Sequence, residues 1–182
     1  MDTTPPVITP SLSGTSGSNG WITTTGIVSA LVEDATSGAG AGAEVSLDGG
    51  SSWQGAPISL SDGSYSMTFR AFDLAGNEGR ASLNASIDTV EPDLSLVLKG
   101  TRGSNGWYVS DVEVSADAVD AVSGVDYAEV RVPGGAWSPQ KTLSDGVHDV
   151  EARAADLAGN TKSISEVIRI DTKAPVSQFT SH

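Results

Sequence analysis

From Gly63 to Asp73 apolar and polar side chains take turns. Tyr65, Met67, Phe69 and Ala71 alternate with Ser64, Ser66, Thr68 and Arg70. A period of two belongs to an extended strand with one face in a core and the other in water. The second half of the chain keeps the same parity. His148, Val150, Ala152 and Ala154 are expected to face in, and Asp149, Glu151 and Arg153 to face out. Val28, Ala30 and Val32 alternate ahead of Asp34, as Val112, Val114, Ala116 and Ala118 do ahead of Asp120. Turn signals separate the runs: Asp48-Gly49-Gly50, Asp62-Gly63, Pro133-Gly134-Gly135, Asp145-Gly146 and two Ala-Gly-Asn triplets. No window combines helical apolar spacing with normal caps. Short strands at turn-bounded intervals predict an all-β chain built as antiparallel β-sandwiches. In the first half seven strands, A to G, are expected: A at 6–13, B at 26–33, C at 43–48, a short C′ or D strand around Trp53, E at 57–60, F at 64–73 and G at 79–87. The second half follows by alignment.

The alignment exists because the chain repeats. Asp2-Thr3-Thr4-Pro5-Pro6, Asp88-Thr89-Val90-Glu91-Pro92 and Asp171-Thr172-Lys173-Ala174-Pro175 open three copies of one unit, 86 residues apart and then 83. Gly14 to Trp21 returns as Gly100 to Trp107, and Asp34-Ala35-Thr36-Ser37-Gly38 as Asp120-Ala121-Val122-Ser123-Gly124. Ser61-Asp62-Gly63 returns as Ser144-Asp145-Gly146, and Asp73-Leu74-Ala75-Gly76-Asn77 as Asp156-Leu157-Ala158-Gly159-Asn160. A fixed period makes a tandem array. The expected domains are residues 1–87, 88–170 and the start of a third, truncated repeat at 171–182, an excerpt of a longer protein. Short linkers, each with a proline that cannot continue a ladder, predict an elongated stiff rod.

Composition narrows the chemistry. Net charge is −13 and the isoelectric point about 4.2. That argues against nucleic acid, which needs a basic face, and against anionic membrane surfaces. It suits solubility and the binding of cations. The chain has no cysteine, so disulfides and zinc-thiolate sites are excluded. The longest apolar run, Ile27 to Val32, is far too short to span a bilayer.

Taken together, Asp-x-x-x-Pro, Asn-Gly-Trp, Asp-x-x-Ser-Gly and Ala-x-Asp-x-Ala-Gly-Asn resemble the bacterial immunoglobulin-like (fibronectin III-like) tandem repeats of secreted and surface adhesin-type proteins. The alanine of the last motif is Ala71 in the first repeat and Ala154 in the second. The resemblance covers both full repeats and the stub from Asp171. It implies Ig-like sandwiches and an extracellular or cell-surface setting, in adhesins or as accessory modules of extracellular hydrolases. The first repeat departs from the second by a glycine-alanine stretch, Gly38 to Ala43, which predicts a more mobile B–C loop.

In such a sandwich the chain entry, the B–C loop and the F–G loop share one pole. That groups Asp2, Asp34 and Asp73 in the first repeat, and Asp88, Asp120 and Asp156 in the second. Converging carboxylates repel unless a cation sits among them, and calcium accepts six to eight oxygens in flexible geometry. Asn77 and Asn160 are nearby candidate ligands. The other reading is that each aspartate organises its own turn by accepting backbone N–H bonds. No loop carries the twelve-residue EF-hand pattern.

Tyr65 and His148 each stand two residues after Asp-Gly at the start of strand F, where an Ig-like sandwich places its tyrosine corner. His148 therefore reads as a corner residue replacing tyrosine. His182 is terminal and reads as tag residue. Trp21 and Trp107 follow identical glycine-rich turns, and Trp53 and Trp137 follow Gly-Gly signals. Exposed, they could stack on sugars; the plainer reading is that they cover the end of a small core.

Catalysis would need an activated nucleophile, an acid–base pair or a catalytic metal. The carboxylates recur with the structural period, which an active site rarely does, so no enzyme is expected. A Lys–Asn cross-link fails in the first repeat, which has no lysine before Lys99. The expected function is a non-catalytic stalk or spacer of an adhesin-like bacterial cell-surface or extracellular protein, rigidified by calcium, monomeric, with neighbouring repeats as partners. The alternative is a carbohydrate-binding accessory module of a secreted hydrolase, with a glycan or host-surface ligand.

Overall fold

The computed structural model describes residues 1–176; residues 177–182, with His182 and the end of the third-repeat stub, lie outside the described residues. The described residues contain strands and turns and no helix. The chain divides into two compact units: Met1–Val90 with Leu157–Asn160, and Glu91–Asp156 with the chain from Thr161.

Unit 1 contains β1 (Val7–Ser13), β2 (Gly26–Glu33), β3 (Glu44–Ser46), β4 (Gln54–Gly55), β5 (Ile58–Leu60), β6 (Gly63–Phe72) and β7 (Glu78–Ile87). One sheet has the order β1-β2-β5 and the other β4-β3-β6-β7. Every strand-to-strand pairing in these sheets is antiparallel. The short strand after Trp53 pairs with β3, so it is a C′ strand on the side of C. The core lies between the sheets. Ile8, Val28 and Leu60 come from the three-stranded sheet, and Val45, Met67, Phe69, Ala71, Ala85 and Ile87 from the other. Along β6 the inward residues Met67, Phe69 and Ala71 are buried, while Ser64, Ser66 and Phe72 are exposed. Burying each of Phe69, Met67 and Ile87 is worth about 1.5–3 kcal/mol against leaving it in water.

The B–C stretch of unit 1 carries backbone pairing of its own. Gly40 N–H donates to the Phe72 carbonyl and Leu74 N–H to the Gly38 carbonyl, both at 3.0 Å. The glycine-rich insertion thus runs as a backbone-paired extension beside the end of β6.

Unit 2 contains β8 (Asp93–Lys99), β9 (Trp107–Tyr108), β10 (Val112–Val119), β11 (Val125–Arg131), β12 (Gln140–Leu143), β13 (Gly146–Asp156) and β14 (Thr161–Ile170). Its sheets are β12-β10-β8 and β11-β13-β14-β9. The β9–β14 pairing is parallel. Val112, Val114, Val130, Val150, Ala152, Ile168 and Ile170 form its core with Tyr108 and Leu143. Here strand C needs no insertion: β11 runs along β13 from Asp156, with a bulge between Val125 and Tyr127.

Candidate metal centre and arginine-stacked tryptophans

Each aspartate of the unit 1 pole sits where a strand or the chain entry stops. Asp34 follows β2, and its Oδ1 accepts the N–H groups of Thr36 at 3.1 Å, Ser37 at 2.8 Å and Gly38 at 2.8 Å. Asp73 follows β6. Its Oδ1 accepts the Asn77 N–H at 2.8 Å and its Oδ2 the Asn77 side-chain amide at 2.7 Å. Asp2 Oδ1 accepts the Thr4 N–H at 2.9 Å. Asp2 Oδ2 is buried and has no hydrogen-bond partner among the described residues. One carboxylate oxygen from each of Asp2, Asp34 and Asp73 lies within 4.8 Å of the others. Both readings of these aspartates are thus visible in one place: each forms its turn, and the three converge.

The local electrostatics favour the charged forms. The Thr4 N–H, with Ser37 close by, holds the Asp2 carboxyl below its ordinary value of 3.8, against burial and the nearby Asp73 charge. Burial is the largest single influence on Asp73 and opposes its ionisation. The hydrogen bonds from Asn77, with the Ala75 and Gly76 N–H groups, outweigh it together and hold that carboxyl below 3.8 as well. The converging carboxylate oxygens of Asp2, Asp34 and Asp73, with the partnerless Oδ2 of Asp2, are hard donors of the kind a divalent cation such as calcium takes.

Unit 2 repeats the B–C turn. Asp120 Oδ1 accepts the N–H groups of Val122 at 3.1 Å, Ser123 at 2.9 Å and Gly124 at 2.8 Å. Asp120 and the buried Asp156 each offer one carboxylate oxygen, the two within 4.8 Å. Asp88 belongs to unit 1 and is fully buried. Its Oδ1 accepts the Val90 N–H at 3.1 Å, and its carbonyl accepts the Asn160 side-chain amide at 3.1 Å.

The tryptophans lie apart from the cores; neither buried cluster includes one. The Arg70 guanidinium sits 4.2 Å from the centre of the Trp53 ring, and those of Arg131 and Arg153 each 4.3 Å from that of Trp137. These arginines occupy outward positions of β6, β11 and β13, and each meets a cross-strand glutamate: Glu44 at 2.6 Å, Glu151 at 2.6 Å and Glu129 at 2.9 Å. Two tryptophans therefore fold over the outer face of a sheet instead of covering the end of the core. The signal was present in the sequence as arginines at outward parity. Trp21 and Trp107 close hairpins whose Asn19-Gly20 and Asn105-Gly106 both have positive φ, the requirement of a primed turn. Trp107 remains 37% exposed.

His148 takes the corner position, its Nε2 donating to the Ser144 carbonyl at 2.7 Å. Two further aspartates, Asp48 and Asp62, do more than mark turns. Asp48 accepts the hydroxyls of Ser52 at 2.6 Å and Ser46 at 2.7 Å and the Ser52 N–H at 2.9 Å, which hold its carboxyl far below 3.8. Asp62 accepts from Thr89, 27 residues on.

No curated protein matches the chain. Among solved structures, the fibronectin(III)-like modules of Clostridium thermocellum CbhA are similar over 95% of this chain and 100% of that one, at 13% identity and a TM-score of 0.40. The bacterial Ig-like domain family matches twice, at residues 33–89 and 94–172, which together take in more than half of the sequence. The chain belongs to the bacterial Ig-like domain family.

Proposed function

We propose that the chain is a non-catalytic spacer of a bacterial extracellular or cell-surface protein, of the adhesin kind, whose acidic poles take calcium. The observation that carries the reading is the convergence of Asp2, Asp34 and Asp73 within 4.8 Å, one oxygen of Asp2 being buried without a partner. Carboxylates so placed serve as ligands more readily than as an acid–base pair, because each is already bound to its own turn, and hydrogen bonds hold Asp2 and Asp73 ionised. Repetition of the B–C turn around Asp34 and Asp120 supports a structural role, since a spacer reuses its parts. Neighbouring repeats of the same chain are its partners in this reading, and the protomer is a monomer.

The competing function is glycan binding by the tryptophans. Against it, Trp53 and Trp137 already carry arginine guanidinium groups on their rings, which ties up aromatic surface a sugar would use. A glycan array probed with the chain separates the two. The spacer reading expects no saturable binding; binding abolished by Trp53→Ala with Trp137→Ala would replace it with the accessory-module reading.

A further inference from the structure

In each unit the departing chain is gripped by the turn that precedes β6 or β13. Asp62 accepts the Thr89 N–H at 2.9 Å and the Thr89 hydroxyl at 3.3 Å. Asp145 accepts the Thr172 N–H and hydroxyl, both at 2.7 Å, and Lys173 Nζ lies 3.2 Å from its other oxygen. The sequence separation is 27 residues in both cases. One residue earlier the main chain is held too. The Asp88 N–H donates to the Ile22 carbonyl and the Asp171 N–H to the Tyr108 carbonyl, each at 2.9 Å. The glycine after each gripping aspartate, Gly63 or Gly146, has φ of 138° or 142°, a conformation that side-chain-bearing residues rarely adopt. The repeated Ser-Asp-Gly and Asp-Thr landmarks are thus the two halves of one contact.

Ile22 and Ile87 pair in parallel, as do β9 and the end of β14, so a pull along the exit loads several hydrogen bonds side by side. Those to Asp62 and Asp145 are charge-assisted, the stronger kind.

We propose that the aspartate of each Ser-Asp-Gly turn and the threonine of the following Asp-Thr form a tension clasp, which holds the exit of the repeat so that β7 or β14 does not peel away under load. The proposal rests on the spacer reading, because a clasp of this kind matters to a chain under tension. Forced unfolding is governed by the unfolding rate, so force-clamp measurements on the whole chain, tethered at both ends, read the clasp. The Asp62→Ala, Asp145→Ala double variant is expected to unfold at least about tenfold faster at fixed force. Its acceleration in denaturant without force should be several-fold smaller. Asp48→Ala, which alters a hairpin away from the exit, is expected to show no such gap between force and denaturant. If the double variant fails to fold, Thr89→Val with Thr172→Val removes the hydroxyl bonds and keeps both backbone N–H groups. Unchanged unfolding at force, or equal acceleration with and without force, overturns the clasp. The result bears on the clasp whichever way the glycan array decides the spacer reading.

Discussion

Tyr65 donates its phenolic hydroxyl to the Ser61 carbonyl, 3.0 Å away and four residues upstream. In the second repeat the same place in the turn is taken by His148, whose ring nitrogen reaches the Ser144 carbonyl at 2.7 Å. Since a carbonyl only accepts, Nε2 must carry the proton. The corner therefore requires a donor at a fixed reach from a half-buried ring, and two chemically different side chains meet it. His148→Tyr is expected to be tolerated or mildly stabilising in thermal melts, and Tyr65→Phe to cost about 1 kcal/mol, the net value of one hydrogen bond. A loss beyond about 2 kcal/mol for His148→Tyr would show that the imidazole serves something a phenol cannot replace.

Tyr108 presents the opposite case. It is 3% exposed, and its hydroxyl is buried without a hydrogen-bond partner among the described residues. The aligned position in the first repeat is Ile22, also buried, so the site is one built for apolar bulk. Leaving a buried hydroxyl unpaired costs about 1–3 kcal/mol, so Tyr108→Phe should be neutral or stabilising by up to about that amount in urea unfolding. Clear destabilisation would mean that the hydroxyl is in fact satisfied.

Acid should weaken the fold. Asp2, Asp48, Asp73 and Asp145 all have folded values below the 3.8 of the ordinary carboxyl. For Asp145 the cause is first the Thr172 hydroxyl, then the Thr172 N–H and Lys173. A depressed value means stabilisation that is complete above about 3.8 and lost as pH falls through the folded values. Long-range repulsion in a chain of charge −13 acts the other way, easing as carboxylates protonate. Urea midpoints are expected to change little from pH 7 to 5 and to fall below 3.8, with a smaller fall in Asp48→Asn. Midpoints that rise steadily down to pH 2.5 would mean that net charge outweighs these local bonds.

Much of the architecture was legible because burial on one face writes itself into alternate residues. The expected strands at 26–33, 64–73 and 79–87 appear as Gly26–Glu33, Gly63–Phe72 and Glu78–Ile87. Periodicity cannot say which sheet a two-residue strand joins; the pairing of Gln54–Gly55 with β3 makes it C′ and not D. Nor does it say what lies over an outward face. Aromatic residues are usually buried, which favours the end of the core for Trp53. The counter-signal was Arg70 and Glu44 at outward positions, which make a polar platform where an indole ring can lie flat. The Asp62–Thr89 contact was hidden for another reason: its partners are 27 residues apart and each looks locally like a turn or linker residue.

The central claim, that the converging aspartates of the pole are cation ligands, is tested most directly by calorimetric melting of the whole chain in EDTA and in millimolar calcium. Binding to the native state alone raises the melting temperature with ligand concentration. The account predicts a rise in calcium that grows with concentration and is reduced in the Asp34→Asn, Asp73→Asn variant. These substitutions keep an oxygen to cap each turn and remove two of the three charges at Asp2, Asp34 and Asp73. Identical wild-type melting curves in EDTA and calcium would contradict it and leave the aspartates as turn formers alone.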